Sequence, residues 1–184
     1  VYTADGASAN LTITVTGIND APVATNDTGS VNEDATLSVS NGSGDIIDNN
    51  DTDADDSASL VVSAVRIGGV EGSGNAGTVG QALTGTYGQL TLNANGSYSY
   101  VANQDAADDL DASDQVTDVF NYTLSDGTAT DTATITITVT GINDAPVADN
   151  ETGAVNEDAT LTVTDGTSDV LHGDTDADDS ASLT

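Results

Sequence analysis

The words GINDAPVA stand twice in this chain, at residues 17–24 and at 141–148. VNEDATL also stands twice, at 31–37 and 155–161. Both pairs are offset by 124 residues. DTDADDSASL begins at 51 and again at 174, an offset of 123, and LTITVTG at 11–17 returns as ITITVTG at 135–141. Self-similarity at a fixed period marks a chain built from copies of one unit. A period near 124 is the size of a single sandwich domain. The phase predicts three parts: the closing strands of one unit at 1–20, one complete unit at 21–144, and the opening of a third at 145–184. The flanking parts hold no counterpart of residues 61–120. The chain therefore reads as a stretch of a longer tandem array, with neighbouring repeats as its first partners and unpaired strand edges at each end that invite end-to-end self-association.

Within the complete unit the apolar pattern alternates with period two. In TATITITVT, 132–140, Ile135, Ile137 and Val139 fall on one face and Thr134, Thr136 and Thr138 on the other. Alternation of this kind with β-branched residues predicts a half-buried strand. GQLTLNANGSYSYV, 88–101, reads as a hairpin turning at Asn95-Gly96, the pair preferred in two-residue turns. VFNYTLSDG places Phe120, Tyr122 and Leu124 on one face before an Asp126-Gly127 turn. TLSVS near 36 and LVVSAVRI near 60 add strands, and QDAADDLDAS, 104–113, is the one stretch suited to a helical turn. About seven strands separated by turns predict an all-β, Ig-like antiparallel sandwich with Greek-key connections.

Charge narrows the function. Of 184 residues, 31 are Asp or Glu and one, Arg66, is basic, giving a formal charge of −30. Such a chain cannot neutralise phosphates, which excludes nucleic acid and anionic membrane surfaces as partners. No apolar run is long enough to insert into a membrane. Residues 1–20 lack the basic start and apolar core of a signal peptide, so export is expected to be directed from elsewhere or by another route. Low hydrophobicity with high charge is also the composition of disorder; the strand alternation argues against it here.

The acids gather in predicted loops, at Asn19-Asp20, Glu33-Asp34, Asp51 to Asp56, Asp108 to Asp114, Asp126 and Asn143-Asp144, and leave strand interiors almost free. Two carboxylates 4 Å apart repel by about 1 kcal/mol even in water. A bound divalent cation reverses that sign. With no Cys and only His172, the donors are oxygens, which favour Ca²⁺ or Mg²⁺. Ca²⁺, with six to eight oxygens in loose geometry, suits Asp-rich loops. DTDADDSASLVV is not an EF-hand loop, since Asp56 replaces the Gly and Val62 the closing Glu. The glycine-rich GGVEGSGNAG, 68–77, carries no Asp and reads as a flexible loop.

GINDAPVA, VNEDATL, DTDADD, GQLTLNANGSYSYVAN and FNYTLSDGTATDTATITITVTGINDAP together resemble the cadherin-like VCBS repeats of large bacterial surface proteins, many of them RTX adhesins. The resemblance spans essentially the whole chain. It implies Ca²⁺ between consecutive domains. Carried over, one junction would use Asn19, Asp20, Asp53, Asp55 and Asp126. The other would use Glu33, Asp111, Asn143, Asp144, Asp176 and Asp178. Asp51 and Asp56 receive no ligand role. Cadherins write a second Asn after the Asn-Asp pair and a Glu two positions beyond the counterpart of Asp111. This chain has Ala145 and Ser113 there, so one or two ions per junction are expected. The resemblance also implies a location at the bacterial cell surface, often by type I secretion, and a role in cell adhesion or biofilm formation.

Three functions compete. A Ca²⁺-stiffened spacer explains the recurrent acids. A carbohydrate- or partner-binding sandwich would need exposed aromatic rings, yet Tyr98, Tyr100, Phe120 and Tyr122 alternate inward, leaving Tyr2 and Tyr87. An enzyme is not expected: no Cys exists, and His172 has no counterpart in the complete unit, so no nucleophilic triad can be assembled.

Overall fold

The computed structural model describes residues 2–42, 44–48, 50–55, 59–164 and 169–178. Its strands are β1 (Tyr2–Ala4), β2 (Ala7–Ala9), β3 (Asp27–Asn32), β4 (Thr36–Val39), β5 (Val61–Ile67), β6 (Ala82–Thr84), β7 (Gln89–Leu92), β8 (Tyr98–Val101), β9 (Gln115–Ser125) and β10 (Thr130–Thr140), with one helical turn, α1 (Asp105–Asp108), between β8 and β9. The alternating segments form two four-stranded sheets, ordered β3-β10-β9-β5 and β4-β8-β7-β6, and β1-β2 is a separate hairpin. The result is a β-sandwich.

The core follows from the alternation. Ile135, Ile137 and Val139 are fully buried, as are Phe120, Tyr122 and Leu124 from the neighbouring strand. Leu90, Leu92, Tyr98 and Tyr100 meet them from the second sheet. Tyr100 and Phe120 touch edge to face, centroids 6.4 Å apart. Burying side chains of this size contributes about 1.5–3 kcal/mol each. The inward aromatic residues are therefore core, and Tyr87 is half-buried against it.

Several details differ from the sequence reading. The sandwich is not wholly antiparallel: β3 runs parallel to β10, Ile135 opposite Asp27 through Thr140 opposite Asn32. The chain crosses from one sheet to the other at the β3–β4 turn, where Asp34 takes φ 59, so β3 lies beside the last strand running in its direction. The β7–β8 hairpin closes on a three-residue loop. The Gly96 amide donates to the Asn93 carbonyl (3.0 Å) and the Asn93 amide to the Ser97 carbonyl (2.9 Å). Only Gly96 is left-handed, at φ 87, the pattern of a type I turn closed by a G1 bulge.

Strand interiors are also not free of acids. Asp118 in β9 is 4% exposed. It accepts the amides of Thr86, Tyr87 and Gly88 (2.8, 3.0 and 3.2 Å) and the Tyr100 hydroxyl (2.6 Å). A buried carboxylate persists when its lone pairs are filled in this way. The loop 68–77, expected to be flexible, is tied down as well. Asn121 accepts the Gly72 amide (3.1 Å) and donates to the carbonyls of Gly68 (2.9 Å) and Ser73 (3.0 Å).

Residues 11–16 carry almost the sequence of β10 and form no strand. Leu11, Ile13 and Val15 are 80%, 75% and 89% exposed, against 0% for Ile135, Ile137 and Val139. Residues 151–164 likewise repeat the β3–β4 sequence without strands. A strand exists through its ladder. β10 is laddered on both sides by β3 and β9, and no described segment pairs with 11–16.

Candidate metal-binding junctions

The linker words fold back onto the Asp-x-Asp words in the same way twice. Val23 and Thr52 exchange backbone hydrogen bonds of 2.8 and 3.1 Å, and Val147 and Thr175 exchange bonds of 2.7 and 3.0 Å. Each two-bond clamp brings an Asn-Asp pair over an Asp-x-Asp loop.

At the first junction the Asp20 amide donates to Asp55 Oδ2 (3.0 Å), and the Asp55 amide to Asp53 Oδ1 (2.8 Å). The Asn19 side-chain amide donates to Asp126 Oδ2 (2.9 Å). The fold thus gathers all five residues expected at this junction. The amide of Ala129, the side chain of Asn19 and the amide of Thr128 hold the Asp126 carboxyl below the usual range.

At the second junction the Asp144 amide donates to Asp178 Oδ2 and the Asp178 amide to Asp176 Oδ1, both at 3.2 Å. The Asn143 side chain turns back to the Asp144 carbonyl. From the complete domain, Glu33 reaches the linker: its Oε1 accepts the Ile142 amide at 2.5 Å. Asp111 lies within electrostatic reach of Asp178, on a turn pinned to the linker by the Ser113 amide on the Gly141 carbonyl (3.0 Å).

These carboxylates are uncomfortable as they stand. Glu33 is 1% exposed. Burial pushes its carboxyl above the usual range; the Ile142 amide opposes the shift, and the charges of Asp144, Asp178 and Asp34 add to it. Asp178 is raised by desolvation and then by Asp176, Asp144 and Asp111. Among the described residues, three buried side-chain oxygens lack any hydrogen-bond partner: Glu33 Oε2, Asp53 Oδ2 and Asp178 Oδ1. Among the described residues no three acids or imidazoles stand close enough to form a finished metal cage. The donor set nonetheless fits a hard cation, being all oxygen and holding three acceptors that nothing else satisfies.

Asp34 and Asp108 were not among the expected ligands. They line a cavity of about 470 Å³ together with Asp144 and Asp176. The repeat gave no signal for Asp108, whose region occurs once in the chain; its position on α1 beside the Glu33–Asp34 turn is a tertiary fact. Asp51, left without a role, is a structural staple. It accepts the Thr25 amide at 2.7 Å, as its counterpart Asp174 accepts the Asp149 amide at 2.7 Å. Asp56 and residues 179–184 lie outside the described residues.

The shifts set a pH response for the metal-free chain. An acid whose pKa is raised on folding binds protons more readily folded than unfolded. Its contribution therefore rises as pH falls through the raised value and is complete below the unfolded one. In chelator, Tm is expected to rise from pH 7 toward the usual carboxylate range, and Glu33→Gln should flatten that rise. Below the range, where Asp126 protonates, the trend reverses. Thermal melts across pH check this; a Tm that only falls on acidification would contradict it.

The molecule is thus a β-sandwich with an acid-rich segment before its first strand and another after its last. A profile of the bacterial cadherin-like domain matches residues 19–141, most of the chain, and the protein belongs to that family. Domains of this family are typically extracellular, adhesion-type repeat modules, typically non-catalytic and generally Ca²⁺-binding. No curated protein matches the chain. No described helix is long and apolar enough to cross a membrane.

Proposed function

We propose that this chain is a non-catalytic spacer of a bacterial surface adhesin, stiffened by Ca²⁺ at its inter-domain junctions. One observation carries the reading. Among the described residues, the buried side-chain oxygens without partners belong to Glu33, Asp53 and Asp178, all within the set that the family resemblance implies for Ca²⁺. An unsatisfied buried acceptor costs about 1–3 kcal/mol, more when charged. A divalent cation supplies the missing partner and cancels the repulsion around it. Glu33, Asp111, Asn143, Asp144, Asp176 and Asp178 would hold it at one junction, and Asn19, Asp20, Asp53, Asp55 and Asp126 at the other. The ion would lock each linker to the neighbouring sandwich, so that a tandem array of such units, with 1–20 and 145–184 as parts of adjoining repeats, becomes an extended rod in millimolar extracellular Ca²⁺. Extracellular modules bind Ca²⁺ at about 10⁻⁴–10⁻³ M. Against the carbohydrate-binding alternative, Tyr98, Tyr100, Phe120 and Tyr122 are buried and Tyr87 is half-buried against the core.

Calorimetric titration tests the proposal. Ca²⁺ is expected to bind in that range, with Mg²⁺ much weaker, and Glu33→Gln or Asp178→Asn should remove one class of site while the other remains. A flat titration at 10 mM Ca²⁺, a concentration about ten times the weakest expected Kd, would sink it.

A further inference from the structure

Tension on the linkers at 17–26 and 141–148 falls on β3 and β10, the first and last strands of the sandwich. These two strands lie side by side and run parallel, Ile135 opposite Asp27 through Thr140 opposite Asn32. Tension draws β3 toward its N-terminal end and β10 toward its C-terminal end, so the strands must slide past each other. If the two ran antiparallel, both pulls would act at one end of the pair and its hydrogen bonds would open one after another. In the parallel arrangement all six residue pairs are loaded together.

The fastening runs beyond the ladder at both ends. Ahead of β3, the Ala24 amide donates to Asp131 Oδ2 (2.9 Å) and Asn26 Oδ1 accepts the Thr134 amide (2.9 Å). Past β3, the Glu33 amide donates to the Thr140 carbonyl (3.0 Å) and Glu33 Oε1 accepts the Ile142 amide (2.5 Å). Residues 24–33 are thus tied to 131–142 along their whole length.

Packing opposes slip as well. A Cβ on Gly29 would stand 2.7 Å from Leu37 Cδ2 and 2.8 Å from Ile137 Cδ1. Side chains alternate between faces, so the smallest slip that keeps the apolar face inward is two residues. In the direction of pull, that slip carries Val31 into the place of Gly29, where two side chains already fill the space.

We infer that β3 and β10 form a shear clamp that carries tension through the repeat, with Gly29 locking its register. The spacer reading supplies the source of the tension. The resistance comes from the ladder and its packing, without an ion.

The chain has no Cys, so pulling handles can be placed by substitution. Single-molecule unfolding of the full chain held through Ala21→Cys and Ala145→Cys loads the clamp in shear. Ala112→Cys with Ala145→Cys pulls on the open end of the antiparallel β9–β10 pair, Gln115 opposite Thr140, and peels it. At one pulling speed the shear geometry should unfold at a force higher by about twofold or more, because bonds that share load raise the barrier to forced unfolding. The difference should persist in chelator. The Glu33 amide points to β10, so by alternation the Val31 amide does too, while the Ser30 amide points away. Val31→Pro should therefore lower the shear force by about a third or more, and Ser30→Pro, a proline on the open edge, by much less. Equal forces in the two geometries, a difference that vanishes in chelator, or equal loss in the two proline variants would overturn the inference. A flat Ca²⁺ titration beside a higher shear force would remove the ion and leave the clamp standing.

Discussion

Chelating Ca²⁺ is expected to lower the Tm of the 184-residue chain by about 10–20 °C relative to saturating Ca²⁺. A ligand at one hundred times its Kd adds about 2.7 kcal/mol per site, and two independent junctions give about 5 kcal/mol. For a chain of this length each kcal/mol moves Tm by about 2–4 °C. The response should divide between the ends, because the two ligand sets share no residue. Asp53→Asn removes a carboxylate whose Oδ2 has no other partner, and should abolish about half of the shift. Glu33→Gln should remove the other half. Differential scanning calorimetry in Ca²⁺ and in chelator measures this, with NaCl as the ionic-strength control. Equal melting with and without Ca²⁺ would mean that the acids are solvated surface and that the junctions need no ion.

The second large effect lies away from the junctions. Asp118→Ala should destabilise the domain by about 4 kcal/mol, because buried donors lose a charged acceptor and each such loss costs about 1.5–3 kcal/mol without full additivity. Four donors converge on this one side chain: the amides of Thr86, Tyr87 and Gly88 and the Tyr100 hydroxyl. Space adds to the constraint. A Cβ on Gly85 would stand 2.4 Å from Asp118 Oδ2, so the 85–88 turn is folded tightly around the carboxylate. Burial and the hydrogen bond to Asp118 push the Tyr100 hydroxyl far above its usual pKa, keeping it a donor at any working pH. The loss should be the same in Ca²⁺ and in chelator, which separates it from the junction variants. Urea unfolding at two Ca²⁺ concentrations provides the comparison, and Asp118→Asn, which keeps the acceptor oxygen, should lie between.

Much of the sandwich was legible because its strands announce themselves by period. TATITITVT buries alternate residues as its pattern requires, and QDAADDLDAS gives the one helical turn. The junction pairs were legible because they are written twice: Asp20 over Asp55 and Asp144 over Asp178 are the same bond between the same words. Asp118 and Asn121 were not legible. Each is one polar residue in an alternating strand, and its role depends on a turn or loop far away in sequence that arrives only on folding. Asp34 and Asp108 escaped for the same reason, since nothing local relates a β-turn to a helical turn some 70 residues later.

LTITVT and ITITVT set the limit of the sequence most clearly. Sequence alone fixed their alternation, their two faces and their kinship, along with the repeat period and the oxygen-only chemistry of the linkers. Tertiary structure decided that Ile137 is buried between two neighbours while Ile13 stands in solvent. Alternation specifies which face a strand would bury; hydrogen bonds and contacts from other strands supply the reason to become one.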